Sequence, residues 1–343
     1  MTLADVAAAA NVSPATVSRA LNQPELVRPE VLERIQEKIS TIGYVPHGPA
    51  RTLASRRSRT FGAIVPSLKW AFFADTIDAF QSQLEQSGYV MLLTTSEYDP
   101  KRELLRARAL IERGVDGLML VGHKRPSELY ELLLRSRIPF INAWATRRDT
   151  PYPAVGIDHT AAGEMSARHL LSLGHRDIAV IIGQPEGNDR VQGRLAGVRR
   201  ALKTCGVELR PERLIYKDYT IDAARQGLRE LLAHGDAPTA VFCGNDVLAC
   251  GVLFECQRLG IAVPEQLSIL GFGDNEIARE TVPALTTLRG ARAEIGRLAA
   301  EYLLARVDGM EIELPEVLDM ELIVRGSTAP PRAQQAPVVV SGR

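Results

Sequence analysis

Residues Thr2–Asn22 read TLADVAAAANVSPATVSRALN, and this stretch decides how the chain begins. Thr2, with Asp5 three residues on, forms a helix N-cap with an acidic first turn, opening an Ala-rich helix near 3–10. The pattern breaks at Asn11-Val12. Ser13 then offers a second cap hydroxyl, and Pro14 takes the first helical position, where its missing N–H costs nothing. The second helix runs roughly 14–21, and Val6, Ala10, Val12, Val17 and Leu21 can make one apolar seam between the pair. A third helix starts at Pro29 and passes Val31, Leu32, Ile35, Ile39 and Ile42 to a stop at Gly43. Two short helices joined by a tight turn and braced by a third make a helix-turn-helix, which places its second helix in the DNA major groove; a ligand-free three-helix bundle shows the same spacing.

Outward from this head, the charge is uneven. The 343 residues carry 41 Lys plus Arg and 41 Asp plus Glu, a formal net charge of zero. Residues 1–60 hold eight basic and five acidic side chains, so a +3 head joins a −3 body. All eight Phe and both Trp lie beyond residue 60. The apolar content of 45% is that of a globular chain, and the length suits two or three domains. No apolar run approaches the ~20 residues of a membrane span, and the N-terminus lacks the pattern of a signal peptide, so a cytoplasmic location is expected. The four cysteines lack Cys-x-x-Cys spacing and read as buried thiols; neither a metal nor a cofactor is expected.

From Phe61 the chain alternates short apolar runs with amphipathic stretches. Strands are predicted at Phe61–Val65, Val90–Thr94, Gly117–Val121, Phe140–Ala143, Ile178–Ile182, Ala240–Cys243 and Ser268–Gly271, with helices near 74–87, 100–113, 127–136, 160–173, 190–205, 222–234 and 246–259. Such alternation gives an α/β body of parallel sheets covered by helices. About a dozen strands exceed one sheet, so two lobes are expected, with a ligand between them at the carboxyl ends of the strands.

The stretch T-L-x-D-V-A-x-x-A-x-V-S-x-x-T-V-S-R-x-L-N, followed by V-R-P-E-V-L-E-R-I and I-G-Y-V-P-H, resembles the DNA-binding headpiece of the LacI/GalR family of bacterial transcription regulators. In the body, V-P-S, F-F-A, G-V-D-G-L, G-H-R-D-I, R-L-A-G, N-D, A-L-T-T and I-V-R resemble that family's effector domain, which has the fold of periplasmic sugar-binding proteins. The resemblance implies a helix-turn-helix domain at 1–45, a hinge helix or linker at 46–60, and a two-lobed effector domain at 61–326. A disordered Pro-, Ala- and Gln-rich tail at 327–343 would follow. It also implies that the first lobe takes residues 61 to about 158 plus a return near 286–318.

For DNA, the resemblance points to Ser13, Pro14 and Ala15 at the start of the second helix. Pro14 and Ala15 offer only apolar contact to base edges, and Arg19 is the candidate for a bidentate guanine contact. Thr16, Ser18 and Asn22 fit phosphate bonds, or capping and surface roles. In the linker, Leu53 corresponds to a wedge inserted into the minor groove, with Arg51 beside it.

For the effector, the resemblance carries over Lys69, Phe72, Phe73, Ser96, His123, Trp144, Arg190, Arg194 and Asn245, with core packing as the alternative for the aromatic pair. The family's Gly-Phe/Tyr-Asp-Asp here reads Gly271-Phe272-Gly273-Asp274, so one sugar-binding carboxylate is absent and Asp274 remains a candidate. With Lys69, His123, Arg190 and Arg194 nearby, that loss favours an anionic ligand. The run Phe254–Gly260 also resembles gluconate-type repressors, so a sugar acid such as gluconate is expected ahead of a neutral sugar. His159 stands where Asn is common; it fits either the hinge side of the cleft or a helix-capping neighbour.

The function implied is a homodimeric repressor on pseudo-palindromic operator DNA, controlled by a sugar or sugar-acid effector and serving a carbohydrate-utilisation operon. A transport-linked sugar-binding protein of the same body fold is the alternative; it lacks a reason for the basic head. The absence of Gly-x-Gly-x-x-Gly, P-loop, Gly-x-Ser-x-Gly and His-Glu-x-x-His patterns argues against an enzyme.

Overall fold

The computed structural model describes residues 1–45, 57–69, 71–146 and 148–332; the expected sites at Arg51 and Leu53 lie outside them. In the head, helices α1 (Leu3–Ala10), α2 (Pro14–Asn22) and α3 (Pro29–Ile42) close over a small core of Val6, Ala10, Val17 and Ile35. Both caps form as the sequence dictates. The Thr2 backbone N–H donates to the Asp5 carboxylate at 2.7 Å, completing a capping box, and Ser13 Oγ accepts from Thr16 N at 3.1 Å. Gly43 ends α3 at φ +67°, a left-handed conformation that suits a residue without Cβ.

The body holds two sheets. Strands β1 (Thr60–Val65), β2 (Val90–Thr95), β3 (Gly117–Val121), β4 (Phe140–Ala143) and β5 (Ala154–Val155) form the first, in the order β2-β1-β3-β4-β5, all parallel. Strands β6 (Ile178–Ile182), β7 (Leu214–Tyr216), β8 (Ala240–Cys243), β9 (Ser268–Phe272), β10 (Thr286–Gly290) and β11 (Met320–Ile323) form the second, in the order β11-β10-β9-β8-β6-β7; only β11 runs antiparallel. Central strands β3, β6 and β8 are buried along their whole length because helices cover both faces.

The first lobe carries α4 (Ala74–Gln86), α5 (Pro100–Glu112) and α6 (Ser127–Ser136). The second carries α7 (His159–Ser172), α8 (Asp189–Thr204), α9 (Ile221–Ala233), α10 (Asp246–Leu259) and the short α11 (Ile277–Glu280). Helix α12 (Arg292–Val307) returns to the first lobe and lies on α4, with Gly296 directly against Thr76 and Thr76 Oγ1 donating to Arg292 O at 2.9 Å. The return therefore begins later than the resemblance implies: β10 is a strand of the second sheet, paired with β9.

Two further boundaries are corrected. The body begins before residue 61: Ser58 N and Arg59 N donate to the Asp116 carboxylate at 3.0 and 2.8 Å, and Arg57 pairs with Asp308 at 2.7 Å. The expected tail is ordered through its first residues. Ser327 is fully buried, its Oγ donating to Ile269 O at 2.6 Å and accepting from Thr286 N at 2.8 Å, while His175 bonds Ala329 O. Of the cysteines, Cys205 is exposed and the other three are buried. Among the described residues no helix is long and apolar enough to cross a membrane, and no His/Cys/Asp/Glu group is arranged to hold a metal.

Candidate functional site

On the head, α2 turns Val17 and Ala20 into the core and leaves Pro14, Ala15 and Arg19 exposed on its outer face. That face, one short helix wide, is the shape that enters a major groove. Ser13 is exposed at its start. The Ser13 and Thr16 hydroxyls lie 2.9 Å apart, so the cap engages Thr16, one of the candidate phosphate ligands. Ser18 is half-buried, and the side chain of Asn22 lies outside the described residues.

The larger cavity, about 450 Å³, opens between the two lobes. It lies where the carboxyl ends of β1, β2, β6, β7 and β8 face one another, as the crossing of two parallel sheets requires. The first lobe contributes Ser67, Lys69, Phe72, Phe73, Glu97 and Tyr98; the second contributes Asn188, Arg190, Arg194, Asp218, Tyr219 and Asn245 among others. Six sequence-predicted residues therefore meet here: Lys69, Phe72, Phe73, Arg190, Arg194 and Asn245. Phe73 is also core, buried edge-on against Phe72 at 5.0 Å between ring centres. Asn245 caps α10, its side-chain oxygen accepting from Leu248 N at 2.9 Å.

Three of the seven charged side chains at the cavity are held in ion pairs. Arg190 Nη1 is 2.7 Å from Asp189 Oδ1, Lys217 Nζ is 2.6 Å from Glu230, and Glu97 is 2.5 Å from Arg102. Among the described residues, Lys69, Arg194, Glu186 and Asp218 line the cavity without an ion pair, two cations against two anions. Arg194 is buried, its Cζ 4.5 Å from the centre of the Phe272 ring and its Nε without a hydrogen-bond partner among the described residues.

Four predicted effector residues lie elsewhere. Trp144 is fully buried behind the cavity wall, its ring 5.1 Å from Phe72 and 5.8 Å from Phe73. Ser96 faces a smaller pocket shared with Glu103 and Lys124. His123 is held across the lobes by Asp189: its backbone N donates to Oδ2 at 2.7 Å, and its Nδ1 lies at the same distance but off the hydrogen-bonding line. Burial raises the Asp189 pKa, but Arg190 and the contacts with His123 outweigh it and hold the carboxyl far below its ordinary value. Asp274 is buried between Arg325 (2.6 Å) and Arg289 (2.7 Å) on the β10–β11 side. These residues follow strand ends, but His123 and Asp274 are taken up by partners on neighbouring elements and Trp144 by aromatic packing.

The sequence reading missed Tyr98, Asn188, Asp218 and Tyr219. Tyr98 and Tyr219 face each other across the lobes with ring centres 5.8 Å apart. Tyr219 follows β7, a three-residue strand too short to be read, so the one available signal, position after a strand, was hidden.

The description "Bacterial regulatory proteins, lacI family" matches residues 2–47, and "Periplasmic binding protein-like domain" matches residues 167–328. The HTH-type transcriptional repressor CytR of Escherichia coli K12 is 34% identical, over 95% of this chain and 96% of its own. A LacI-family regulator from Silicibacter pomeroyi superposes with a TM-score of 0.87 at 26% identity, covering 96% of this chain and 99% of that one. The lac repressor dimer bound to operator and the anti-inducer ONPF superposes with a TM-score of 0.83 at 25% identity, covering 96% and 99%. Head, sheets and cleft agree with these likenesses along nearly the whole length: the chain belongs to the LacI family of bacterial regulatory proteins, DNA-binding regulators of transcription and not enzymes.

Proposed function

We propose that the chain represses a carbohydrate-utilisation operon as a homodimer on pseudo-palindromic operator DNA, and that its cleft takes a neutral, hydroxyl-rich ring such as a sugar. The balanced pair count at the cavity carries the choice of ligand. Of the four cations that favoured a sugar acid, His123 lies outside the cavity and Arg190 is neutralised by Asp189, while Glu186 and Asp218 offset Lys69 and Arg194. Phe72, Tyr98 and Tyr219 supply faces for a ring, and Asn188, Thr220 and Asn245 lie among them. Support for the dimer comes from the lac repressor, solved as a dimer on its operator.

Calorimetric titration of the full-length protein with D-glucose, D-galactose, D-ribose and gluconate tests the ligand. Heat from a neutral sugar and none from gluconate is expected; heat from gluconate alone overturns the charge balance and restores the sugar acid.

A further inference from the structure

Arg194 reaches the cavity from α8, and the residue that steadies it comes from α7. The two helices touch at backbone distance: a Cβ on Gly163 would strike Arg194 O, and one on Gly197 would strike Thr160 O. This contact sets His159, the first residue of α7, beside the guanidinium, with Arg194 Nη1 3.0 Å from His159 Nδ1. A guanidinium only donates, so Nδ1 accepts and the neutral ring carries its proton on Nε2. Nε2 lies 3.2 Å from Trp144 O, where it donates to the backbone of the first lobe. Both ring nitrogens are thereby used, and the imidazole stays sandwiched near Trp144 (6.4 Å) and Phe272 (6.1 Å).

We propose that His159 is a positioning residue: it holds the Arg194 guanidinium at the cavity wall and ties it to the first lobe through the Trp144 carbonyl. The inference rests on the reading of the cleft as the effector site. Burial, then the positive charge of Arg194 and Arg190, opposed by Asp189 and the Trp144 carbonyl, keeps the imidazole neutral by holding its pKa well below the ordinary value. With Nη1 held and the guanidinium stacked on Phe272, Arg194 is fixed in the cavity wall in a frame from which its cationic head can meet a ligand oxygen.

Three substitutions separate positioning from packing. His159→Asn places an acceptor where Nδ1 stands; His159→Gln places a donor near Nε2 but no acceptor for Arg194; His159→Phe keeps the ring and neither polar atom. Titration with D-glucose, D-galactose and D-ribose should leave the Asn variant within about threefold of the parent. The Gln and Phe variants should lose roughly tenfold or more, the size of a hydrogen bond to a charged group. Equal losses in all three, or none in any, overturn the proposal. A ligand-free readout runs beside it: Nη resonances of ¹⁵N-arginine, with Arg194 assigned by their loss in Arg194→Lys. Restricted guanidinium rotation is expected in the parent and Asn variant and free rotation in the other two; the same rotation in all overturns the proposal. If no sugar binds the parent protein, the ligand reading fails while the resonances still decide the positioning role. Should the Phe variant not fold, the Asn–Gln comparison carries the test.

Discussion

Gly122 is the place to test what holds the lobes together. It ends β3 at φ +78°, and a Cβ there would strike Arg190 Nη1 and lie 2.5 Å from Asp189 Oδ1. Those atoms are the far ends of side chains, so Gly122→Ala should not break the fold. It should push the Asp189 carboxylate off His123 N, a 2.7 Å bond between the lobes. Two costs arise. The positive φ penalises alanine by about 1–2 kcal/mol in any lobe arrangement, lowering overall stability. Losing the charge-assisted bond costs about 1.5–3 kcal/mol, and only the bridged arrangement bears that cost. The ratio of bridged to unbridged arrangements should therefore fall by a factor of roughly 10 to 100. A ligand that needs both walls should weaken by up to the same factor. Small-angle scattering should show a larger radius of gyration, and titration with a binding sugar a weaker affinity. Asp189→Asn, which keeps an acceptor oxygen but no charge, should show a smaller shift in the same direction. Because the folded-state pKa of Asp189 is depressed, its contribution is present above the unfolded carboxylate value and lost only as pH falls below it; the bridge should persist at pH 5. An unchanged radius and affinity in Gly122→Ala, with only stability reduced, would refute the reasoning.

Two further outcomes follow from single residues. Burial, against bonds from Thr287 Oγ1 (2.6 Å) and Asn275 N (2.7 Å), raises the Asp246 pKa to about 6. A raised carboxyl binds its proton more readily folded than unfolded, so stability should rise as pH falls from 7.5 to 5. That gain, about 1.4 kcal/mol over this range and somewhat under half of the full effect, should be missing from Asp246→Asn in urea titrations at the two pH values; parallel behaviour of the two proteins would count against it. On the head, Arg19→Ala should cost about 1–3 kcal/mol of operator binding while changing nonspecific binding far less, measured by anisotropy across salt concentrations. Equal losses on both DNAs would demote Arg19 to a phosphate contact.

Much of the fold is written locally. Thr2, Ser13 and Pro14 mark helix starts by chemistry that needs no tertiary partner, and the apolar runs of the body are strands, buried along their whole length in β3, β4, β6, β8 and β9 and half-exposed in the edge strand β2. What escaped is short or depends on partners. Strand β5 has two residues and β7 three, while β10 begins with Thr286 and Thr287, polar residues that are buried only because Ser327, Thr328 and Asp246 meet their hydroxyls and amides. Helix α12 shows no single apolar stripe because Leu298, Tyr302, Leu304 and Val307 are apolar beside the buried row Ile295, Ala299 and Leu303. The site divides in the same way. The resemblance located six cavity residues, but it could not tell Arg194, which has no ion pair among the described residues, from Asp274, clamped by two arginines from β10 and the segment after β11.

That distinction bears on how such a protein couples ligand to lobe arrangement. Helix α8 begins with Asp189, which bonds the first lobe at His123, and presents Arg194 to the cavity little more than one turn later. Arg194 in turn reaches the first lobe a second time, through His159 to the Trp144 carbonyl. A ligand that draws on Arg194 therefore acts on the same rigid helix that carries the bridge, and no long relay is needed between them. The energy available to shift the lobes is limited to the difference in ligand binding between the two arrangements. Residues whose bonds exist only when the lobes meet, such as Asp189 with His123, set how large that difference must be; side-chain pairs within one lobe, such as the Asp274 carboxylate with Arg289 and Arg325, do not enter it.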